Sequence, residues 1–551
     1  MVEEERKFQV ATPLDMRRIT KSLPSAYRLV SRGSVEMRAT YFDTADLRLA
    51  RAGVSLRYRT GDPDAPWTVK LPTEQTGVRH EIGRPAALRR PAATIPADLV
   101  ALVTVFSRGA PLAPVVTIRT SRTRWDVCRR DDDVLAEIAD DAVAVYEDRR
   151  VVGRFHEVEV ERKNGKRKQV ARIGKALADA GAVEGVFTAK HVRALQFLPT
   201  FAARATAPAD LARAPAATRP SGGRTDGMAG VSMAEAVTWA LRTDIARILD
   251  HDPLIRLRAP VGRDDTAVHR MRVGVRRLRS TMRLFGTIFA TPDTDDPDGT
   301  DATDATGNYA APTWRERLDG ELRWLGDLLG AARDAEVTRV RLRNTASLDP
   351  VHQLDAAAVA RIEAELAAQY EEAYANLGEA LASERYLALV EMLHTVAAHV
   401  DFAAVARRPA SVLMPRAVGR AWRRLAEGRH GIDGADSLDL AAADPQWHAV
   451  RIHAKRARYA AESAVGICGV SAQHLADALA AVTDVLGSHQ DAVTAAEHWL
   501  AIAAADPDDH ALAITAGRLI ERENEAAMRA RLAYPDAWRA ASADRLRSWL
   551  R

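Results

Sequence analysis

The sequence predicts a multidomain α+β protein in which a β-rich N-terminal half and an all-α C-terminal half fold separately. Three observations predict it. The 551 residues exceed the roughly 250–300 at which one hydrophobic core stops growing. Residues 1–198 carry short alternating segments divided by turn signals. From Val231 onward, apolar residues recur three and four apart almost to the end of the chain.

In the first half the strand-like segments are Glu3 to Val10, Val54 to Thr60, Trp67 to Leu71, Thr117 to Val127 and His156 to Arg162, with turn signals at Gly61-Asp62-Pro63 and Asn164-Gly165. Between Pro199 and Gly230 the composition collapses to Ala, Pro, Arg, Gly and Ser, which is a linker. The expected boundaries are therefore a domain over 1–198, a linker over 199–227 and a helical domain over 228–551. Within the helical half, Thr291 to Gly307 is acidic and without apolar periodicity, and reads as a disordered loop between helices.

Composition excludes several classes. Hydrophobic residues at 47% and charged residues at 28% describe a soluble globular protein, and no segment approaches the ~18 uncharged apolar residues of a membrane helix. The acidic start, Met1-Val2-Glu3-Glu4-Glu5, is unlike a signal peptide, so the cytoplasm is the expected compartment. Two cysteines, Cys128 and Cys468, one in each half, argue against a disulfide framework or a cysteine-rich zinc site. With 78 basic and 74 acidic residues, the placement of charge carries more information than its net value of +4.

That placement is ordered. A strand sends alternate side chains to one face, so Glu3, Glu5 and Lys7 share a face, as do Glu157, Glu159 and Glu161. Arg57 shares one with Arg59 and Arg122 with Arg124, while Lys70 and Lys190 stand alone. Any one pair fits the solvated face of an antiparallel sheet. If the strands close into a barrel, however, the rows converge on one lumen, with carboxylates for a divalent cation and guanidinium forks for phosphate oxygens. His80 has no partner identifiable from sequence and His156 lies on the face opposite the Glu157 row, so neither reads as a general base.

Here the chain resembles the CYTH, or triphosphate tunnel metalloenzyme, family. Its Glu-x-Glu-x-Lys signature is met by Glu3, Glu5 and Lys7. Family-like elements follow in order at Arg38–Thr44, Leu56–Arg59, Thr68–Lys70, Ala136–Asp140, Glu157–Glu161 and Ala189-Lys190. The resemblance implies an eight-stranded antiparallel tunnel with Mg²⁺ or Mn²⁺ on Glu3, Glu5, Glu157 and Glu159. Glu3, Glu5 and Lys7 would be catalytic, and Lys7, Arg38, Arg57, Arg59, Lys70, Arg122, Arg124 and Lys190 would grip phosphate. It leaves Glu161 at the tunnel mouth and Glu81, Glu137 and Asp140 as further acids, with Tyr41, Phe42 and Trp125 in core or wall.

The helical half contains a repeat. His269-Arg-Met-Arg272-Val-Gly-Val-Arg276-Arg277-Leu-Arg279 recurs as His448-Ala-Val-Arg451-Ile-His-Ala-Lys455-Arg456-Ala-Arg458. His and basic residues hold offsets 0, 3, 7, 8 and 10 in both copies; all but offset 8 share one helix face. Each copy is followed by a matched segment, Asp327 to Asp334 and Asp484 to Asp491, so a helical unit is duplicated. Arg283 extends the first stripe, and Arg416, Arg420, Arg423 and Arg424 form a third. Like charges four apart destabilise a helix slightly, so their retention in both copies points to an external anion.

This half resembles the CHAD domain, over about 228–551. The resemblance implies two helical bundles related by a pseudo-two-fold axis, with inorganic polyphosphate bound along His269, Arg272, Arg276, Arg279, Arg283, His448, Arg451, Lys455 and Arg458. The function expected of the whole is metal-dependent hydrolysis of inorganic triphosphate, with polyphosphate binding or association with polyphosphate granules. The alternatives are a non-catalytic polyphosphate-binding protein, or adenylate cyclase or thiamine triphosphatase activity in the tunnel. Nucleic acid is a poorer partner, because Tyr459 is the only aromatic within either repeat on which a base could stack.

Overall fold

The computed structural model describes residues 2–10, 14–61, 66–73, 75, 77–85, 94–129, 133–185, 188–198, 230–259, 265–290, 313–347, 354–429 and 432–550. The expected linker over 199–227 and the acidic loop over 291–307 lie outside the described residues. The chain divides into two compact units, Met1–Arg213 and Ala214–Arg551.

The first unit is built on β1 (Val2–Gln9), β2 (Tyr27–Asp43), β3 (Ser55–Thr60), β4 (Trp67–Pro72), β5 (Val78–Arg84), β6 (Ala113–Arg129), β7 (Val134–Glu147) and β8 (Arg150–Arg162). Their order is β5-β4-β3-β2-β6-β7-β8-β1, and β1 pairs back onto β5 with Glu3 opposite Arg79. The eight strands thus form a closed antiparallel barrel, as the family resemblance implied. A two-residue strand, β9 (Val183–Glu184), adds beside β1 at Phe8 and Gln9. Among the described residues, the helices that decorate the barrel are α1 (Met16–Ser22), α2 (Arg48–Arg51), α3 (Ala97–Ser107), α4 (Arg167–Asp179) and α5 (Lys190–Leu195).

Alternation decides what each face does. Phe8, Val127, Ile138, Val158 and Val160 point outward and are buried under Ile19 of α1 and Val170, Ile173 and Leu177 of α4. The helical residues are spaced three and four apart, so α4 offers one apolar stripe to that sheet face. With these positions facing out, Lys7, Asp141, Glu157 and Glu159 must face in.

Deeper along the same inward face the barrel turns apolar. Ala39, Tyr41, Val116, Ile118, Val143 and Val145 pack against Ala194, Leu195 and Leu198 of α5 and the turn after it. One end of the lumen is therefore stoppered. The seat of the stopper depends on Gly153, where an added Cβ would lie 2.3 Å from the Phe197 ring. Its absence lets Phe197 stack on Phe155, with ring centroids 6.1 Å apart. At the end of β2, the buried Asp43 carboxylate accepts the N–H groups of Thr44 (2.7 Å), Leu49 (2.8 Å) and Ala50 (2.9 Å), tying that strand to α2.

The second unit is helical: α6 (Met233–Arg256), α7 (Ala267–Leu284), α8 (Trp314–Ser347), α9 (Ala356–Ala382), α10 (Glu384–Ala398), α11 (Ala410–Glu427), α12 (Asp444–Cys468), α13 (Val470–Ala505), α14 (His510–Ala541) and the short α15 (Asp544–Arg547). The duplicated sequences are α7 with α8, and α12 with α13. Helix α7 packs between α6 and α8, α12 packs between α11 and α13, and α7 and α12 meet each other. The buried stripe of α7 is Val268, Met271, Val275, Leu278 and Met282; that of α12 is Trp447, Val450, Ala454, Ala457 and Ala461. In both helices the basic stripe runs one residue later, so packing of the apolar stripe fixes where the bases point.

Substituting Gly153 with Val is expected to loosen α5, because overpacking of this kind costs about 1–3 kcal/mol. Trypsin cleavage at Lys190 and Arg193 in the full-length chain should accelerate about tenfold, the factor that ~1.4 kcal/mol of local opening supplies. An unchanged cleavage rate would show that Phe197 does not hold the stopper.

Candidate active site in the barrel lumen and candidate anion channel

Each strand contributes to the lumen by parity. Strand β1 supplies Glu3, Glu5 and Lys7, β3 Arg57 and Arg59, β4 Lys70, β5 Arg79 and Glu81, β6 Arg122 and Arg124, β7 Asp141, and β8 Glu157 and Glu159. The register confirms the shared face: Lys7 lies opposite Glu159, Arg122 opposite Asp141, Asp141 opposite Glu157, and Lys70 opposite Glu81.

The centre is a cluster of alternating charge. One oxygen from each of Asp141, Glu157 and Glu159 lies within 4.8 Å of the others. Three cations are interleaved with them. Lys7 Nζ is 2.6 Å from Glu159, 3.6 Å from Glu157 and 3.8 Å from Glu5. Arg122 reaches Asp141 at 2.7 Å and Glu159 at 2.6 Å. Lys190, at the start of α5, donates to Asp141 and lies 3.2 Å from Glu157 and 3.5 Å from Glu159. Glu157 Oε1 is buried and accepts no hydrogen bond. An all-oxygen donor set with a spare buried lone pair suits a hard divalent cation.

The bases keep Glu159 and Asp141 ionised. Burial opposes the Glu159 carboxylate, but Lys190, Lys7 and Arg122 outweigh it and hold its pKa well below the usual range. Asp141 is likewise lowered against its burial, by Lys190 and Arg122. Toward β5 the balance differs. Burial raises the Glu3 carboxyl to about 7 although Lys70 donates to it, whereas Glu81, also opposed by burial, is drawn down to about 2 by Lys70 and Arg57.

Several expected positions need correction. Arg38 does not reach the lumen: it is exposed, with Arg119 opposite it, on the outer face, because Met37, Ala39 and Tyr41 take the inward positions of β2. Among the expected metal ligands, Glu157 and Glu159 cluster with Asp141, while Glu3 sits apart with Lys70 and Glu81, and Glu5 borders the cluster through Lys7. Asp140, weighed as a lumen acid, faces out, accepting the Leu14 N–H at 3.1 Å and lying 2.9 Å from His156 Nε2. His156 is therefore outside, as its parity implied. Glu161 pairs with Lys163 at 2.6 Å and is more open to solvent than Glu157 or Glu159.

Four lumen residues were missed. Asp141 adjoins Asp140 in the sequence and takes the inward position of the two. Arg79 is buried beside Glu3 in the register. Arg193 lies over the Phe155 ring at 4.4 Å and 3.7 Å from Glu157. His191 is buried, stacked on Tyr41 at 5.0 Å, and pushed down to about 3 by burial and by Arg79, Lys7 and Arg57.

In the helical unit the two copies converge where α7 meets α12. The charges of Arg276 and Arg272 act on Arg451, and those of Arg451, Arg276 and Arg272 act on Lys455. Burial and these neighbours lower all three groups Arg276, Arg451 and Lys455, the last to about 6. The Nε atoms of Arg276 and Arg451 are buried without a hydrogen-bond partner. Pseudo-symmetry extends to the acids: Arg272 bonds Asp334 at 2.9 Å, and Arg451 lies 4.0 Å from Asp491 at the matching place.

The rest of the basic stripe is committed elsewhere. Arg279 and Arg283 are both held by Asp319 of α8, at 2.8 and 3.2 Å. Arg458 is held by Glu462 at 2.7 Å, and Glu462 also takes Arg277 of the other copy. His448 Nδ1 is 2.7 Å from Gln490 Oε1, and His269 has its pKa lowered by burial and by Arg333. The cluster without a close counter-ion is thus Arg276, Arg451 and Lys455, bordered by Arg272 on its Asp334 partner, and it is narrower than the stripes suggest.

Residues 1–194 match the CYTH domain, and residues 240–298 and 302–501 match the CHAD domain. An uncharacterized protein of Mycobacterium tuberculosis is 27% identical over 550 residues, covering 96% of this chain and 94% of the relative. Among solved structures, PptA from Streptomyces chartreusis aligns at 22% identity and a TM-score of 0.40, over 56% of this chain and 100% of that one. A putative adenylyl cyclase from Hippeastrum, HpAC1, described as revealing a dominant triphosphatase activity, aligns at 17% identity and a TM-score of 0.25, over 36% of this chain and 98% of that one.

The two neighbouring aspartates of β7 provide a direct check on the assignment of faces. Asp141→Asn leaves Lys190 and Arg122 short of a buried counter-charge and is expected to cost about 3–5 kcal/mol. Asp140→Asn retains an acceptor for Leu14 and should cost under about 1 kcal/mol. Hydrogen exchange of the β6–β8 amides in the full-length chain reads both. Equal loss of protection in the two variants would contradict this arrangement.

Proposed function

Because the chain belongs to the CYTH and CHAD domain families, in that order along its length, we propose that its barrel is a metal-dependent triphosphatase. The reaction is hydrolysis of inorganic triphosphate to diphosphate and phosphate, and the helical unit binds inorganic polyphosphate. The observation that supports this best is the central cluster, with Asp141, Glu157 and Glu159 converging in a closed barrel among Lys7, Arg122 and Lys190.

Transfer of a terminal phosphoryl group to water asks little covalent chemistry of the protein; it needs charge neutralisation and in-line positioning. Mg²⁺ or Mn²⁺ held by Asp141, Glu157 and Glu159 would neutralise phosphoryl oxygens and lower the pKa of a bound water. The chain's own bases do the gripping. Arg57, Arg59, Arg79 and Arg124 line the wall, and Lys7, Arg122 and Lys190 exchange carboxylate oxygens for phosphate oxygens as the substrate enters. The apolar stopper made by α5 excludes water from one end and gives the phosphate chain a single way in. Glu3, Glu5 and Glu81 then lie along the substrate's path, where they favour a cation-bound polyanion over a bare one.

The helical unit supports polyphosphate binding through a different feature. Arg272, Arg276, Arg451 and Lys455 come from two copies of one unit, and burial together with the neighbouring guanidinium groups, Arg272 among them, lowers the pKa of Arg276, Arg451 and Lys455. An anion between them relieves that repulsion, and a flexible chain of phosphates can follow the pseudo-two-fold groove where a rigid duplex fits poorly.

Phosphate release by the full-length protein from triphosphate, ATP and long-chain polyphosphate, with and without Mg²⁺ or Mn²⁺, tests the reading. Triphosphate should be the best substrate, and chelation of the metal should abolish release. Release without metal would remove the proposed role of the acidic cluster, and a preference for ATP would move the barrel to nucleotide chemistry.

A further inference from the structure

Residues 199–551 contain arginine throughout and a single lysine, Lys455. It stands in the second repeat at the offset that Arg276 holds in the first. Guanidinium remains charged at any physiological pH, whereas an amine can lose its proton and become a nucleophile. Lysine at this one place therefore introduces chemistry that arginine cannot perform.

The surroundings favour that chemistry. Lys455 has no hydrogen-bond or ion-pair partner among the described residues. The charged groups acting on it are Arg272 and Arg276 from α7, Arg451 from its own helix and Asp491 from α13. The acids are diverted: Asp491 lies 4.0 Å from Arg451, and Asp334 bonds Arg272. Burial and the three guanidinium groups lower the amine to about 6, so it is neutral near physiological pH. Beside it, the buried Nε atoms of Arg276 and Arg451 lack partners and offer donors to a phosphate.

We propose that Lys455 is a site of non-enzymatic acylation by acyl phosphates, whose phosphate group is anchored by Arg272, Arg276 and Arg451 while the amine attacks the acyl carbon. The Lys455 Nζ lone pair forms the new N–C bond. The C–O bond to phosphate breaks, phosphate departs with that bonding pair into the guanidinium cluster, and the amine proton passes to the departing phosphate or to water. The products are an Nε-acyl lysine and inorganic phosphate, and no oxidant or reductant is needed. Acylation removes a cation that a bound polyanion would otherwise re-protonate, so it weakens polyphosphate binding. That consequence rests on the polyphosphate reading; the acylation does not.

The test incubates the full-length protein with acetyl phosphate near neutral pH and follows each lysine by peptide mass spectrometry. Lys168 and Lys175, exposed on α4, serve as internal references. At neutral pH the neutral fraction of an ordinary lysine, of pKa about 10.4, is on the order of one in a thousand, so Lys455 should be acetylated at least about tenfold faster even after its lower basicity is discounted. Its rate should level off above about pH 7 while the reference lysines keep accelerating with pH. Equal rates, or parallel pH profiles, would overturn the proposal. With uncharged N-acetylimidazole the preference for Lys455 should shrink, and an undiminished preference would overturn the phosphate anchor. Long-chain polyphosphate should protect Lys455 and leave Lys168 unaffected. Selective acetylation without that protection would uphold the acylation site and count against the polyphosphate reading.

Discussion

The constraint on which the barrel depends is the confinement of carboxylates. Asp141, Glu157 and Glu159 face one another in a lumen sealed on its outside by Phe8, Val158 and Val160 and at one end by α5. Like charges at such separations cannot all ionise in a low-dielectric space without cations among them. Lys7, Arg122 and Lys190 meet that need within the protein. They are also the groups a phosphate chain would attract, so the arrangement that stabilises the bare barrel is one that a metal-bound polyanion can replace ion for ion. The junction of α7 and α12 shows the opposite imbalance. Its bases are crowded and its acids are partly diverted, leaving excess positive charge at the junction of two copies.

Much of this was legible where a strand alternates without interruption. On β1 and β8, the outward Phe8, Val158 and Val160 fix the inward Glu3, Glu5, Lys7, Glu157 and Glu159, and parity suffices. On β2 parity also holds between the irregularities at Ser31/Gly33 and Tyr41/Phe42, where Met37, Ala39 and Tyr41 alternate inward. Arg38, carried over on resemblance, belongs to the outward set there. The adjacent acids Asp140 and Asp141 differ only in parity. The apolar Ala136 and Ile138 mark the even positions of β7 as outward, so a signal for Asp141 was present. Arg79 shares the parity of Glu81 on β5, so a signal was present for it too, whereas His191 and Arg193 are brought inside only by the docking of α5.

The helical repeat was legible as matched offsets, and its two copies do meet. The number of bases left for a ligand was not. That depends on Asp319, Glu462 and Gln490, which come from other helices or later turns and capture Arg279, Arg283, Arg458 and His448. Sequence periodicity places a charge on a face, and only tertiary packing decides whether a counter-charge has already claimed it.

The central claim is that phosphate and metal enter the lumen together, because phosphate must draw Lys7, Arg122 and Lys190 off the carboxylates before a cation can occupy them. Mn²⁺ titration of the full-length protein by calorimetry, with and without a non-hydrolysable triphosphate analogue, tests it most directly. The account predicts reciprocal coupling: the analogue tightens Mn²⁺ binding at least about tenfold and Mn²⁺ tightens the analogue by the same factor. The effect should disappear in Glu157→Gln. Tight Mn²⁺ binding that is indifferent to the analogue would contradict it.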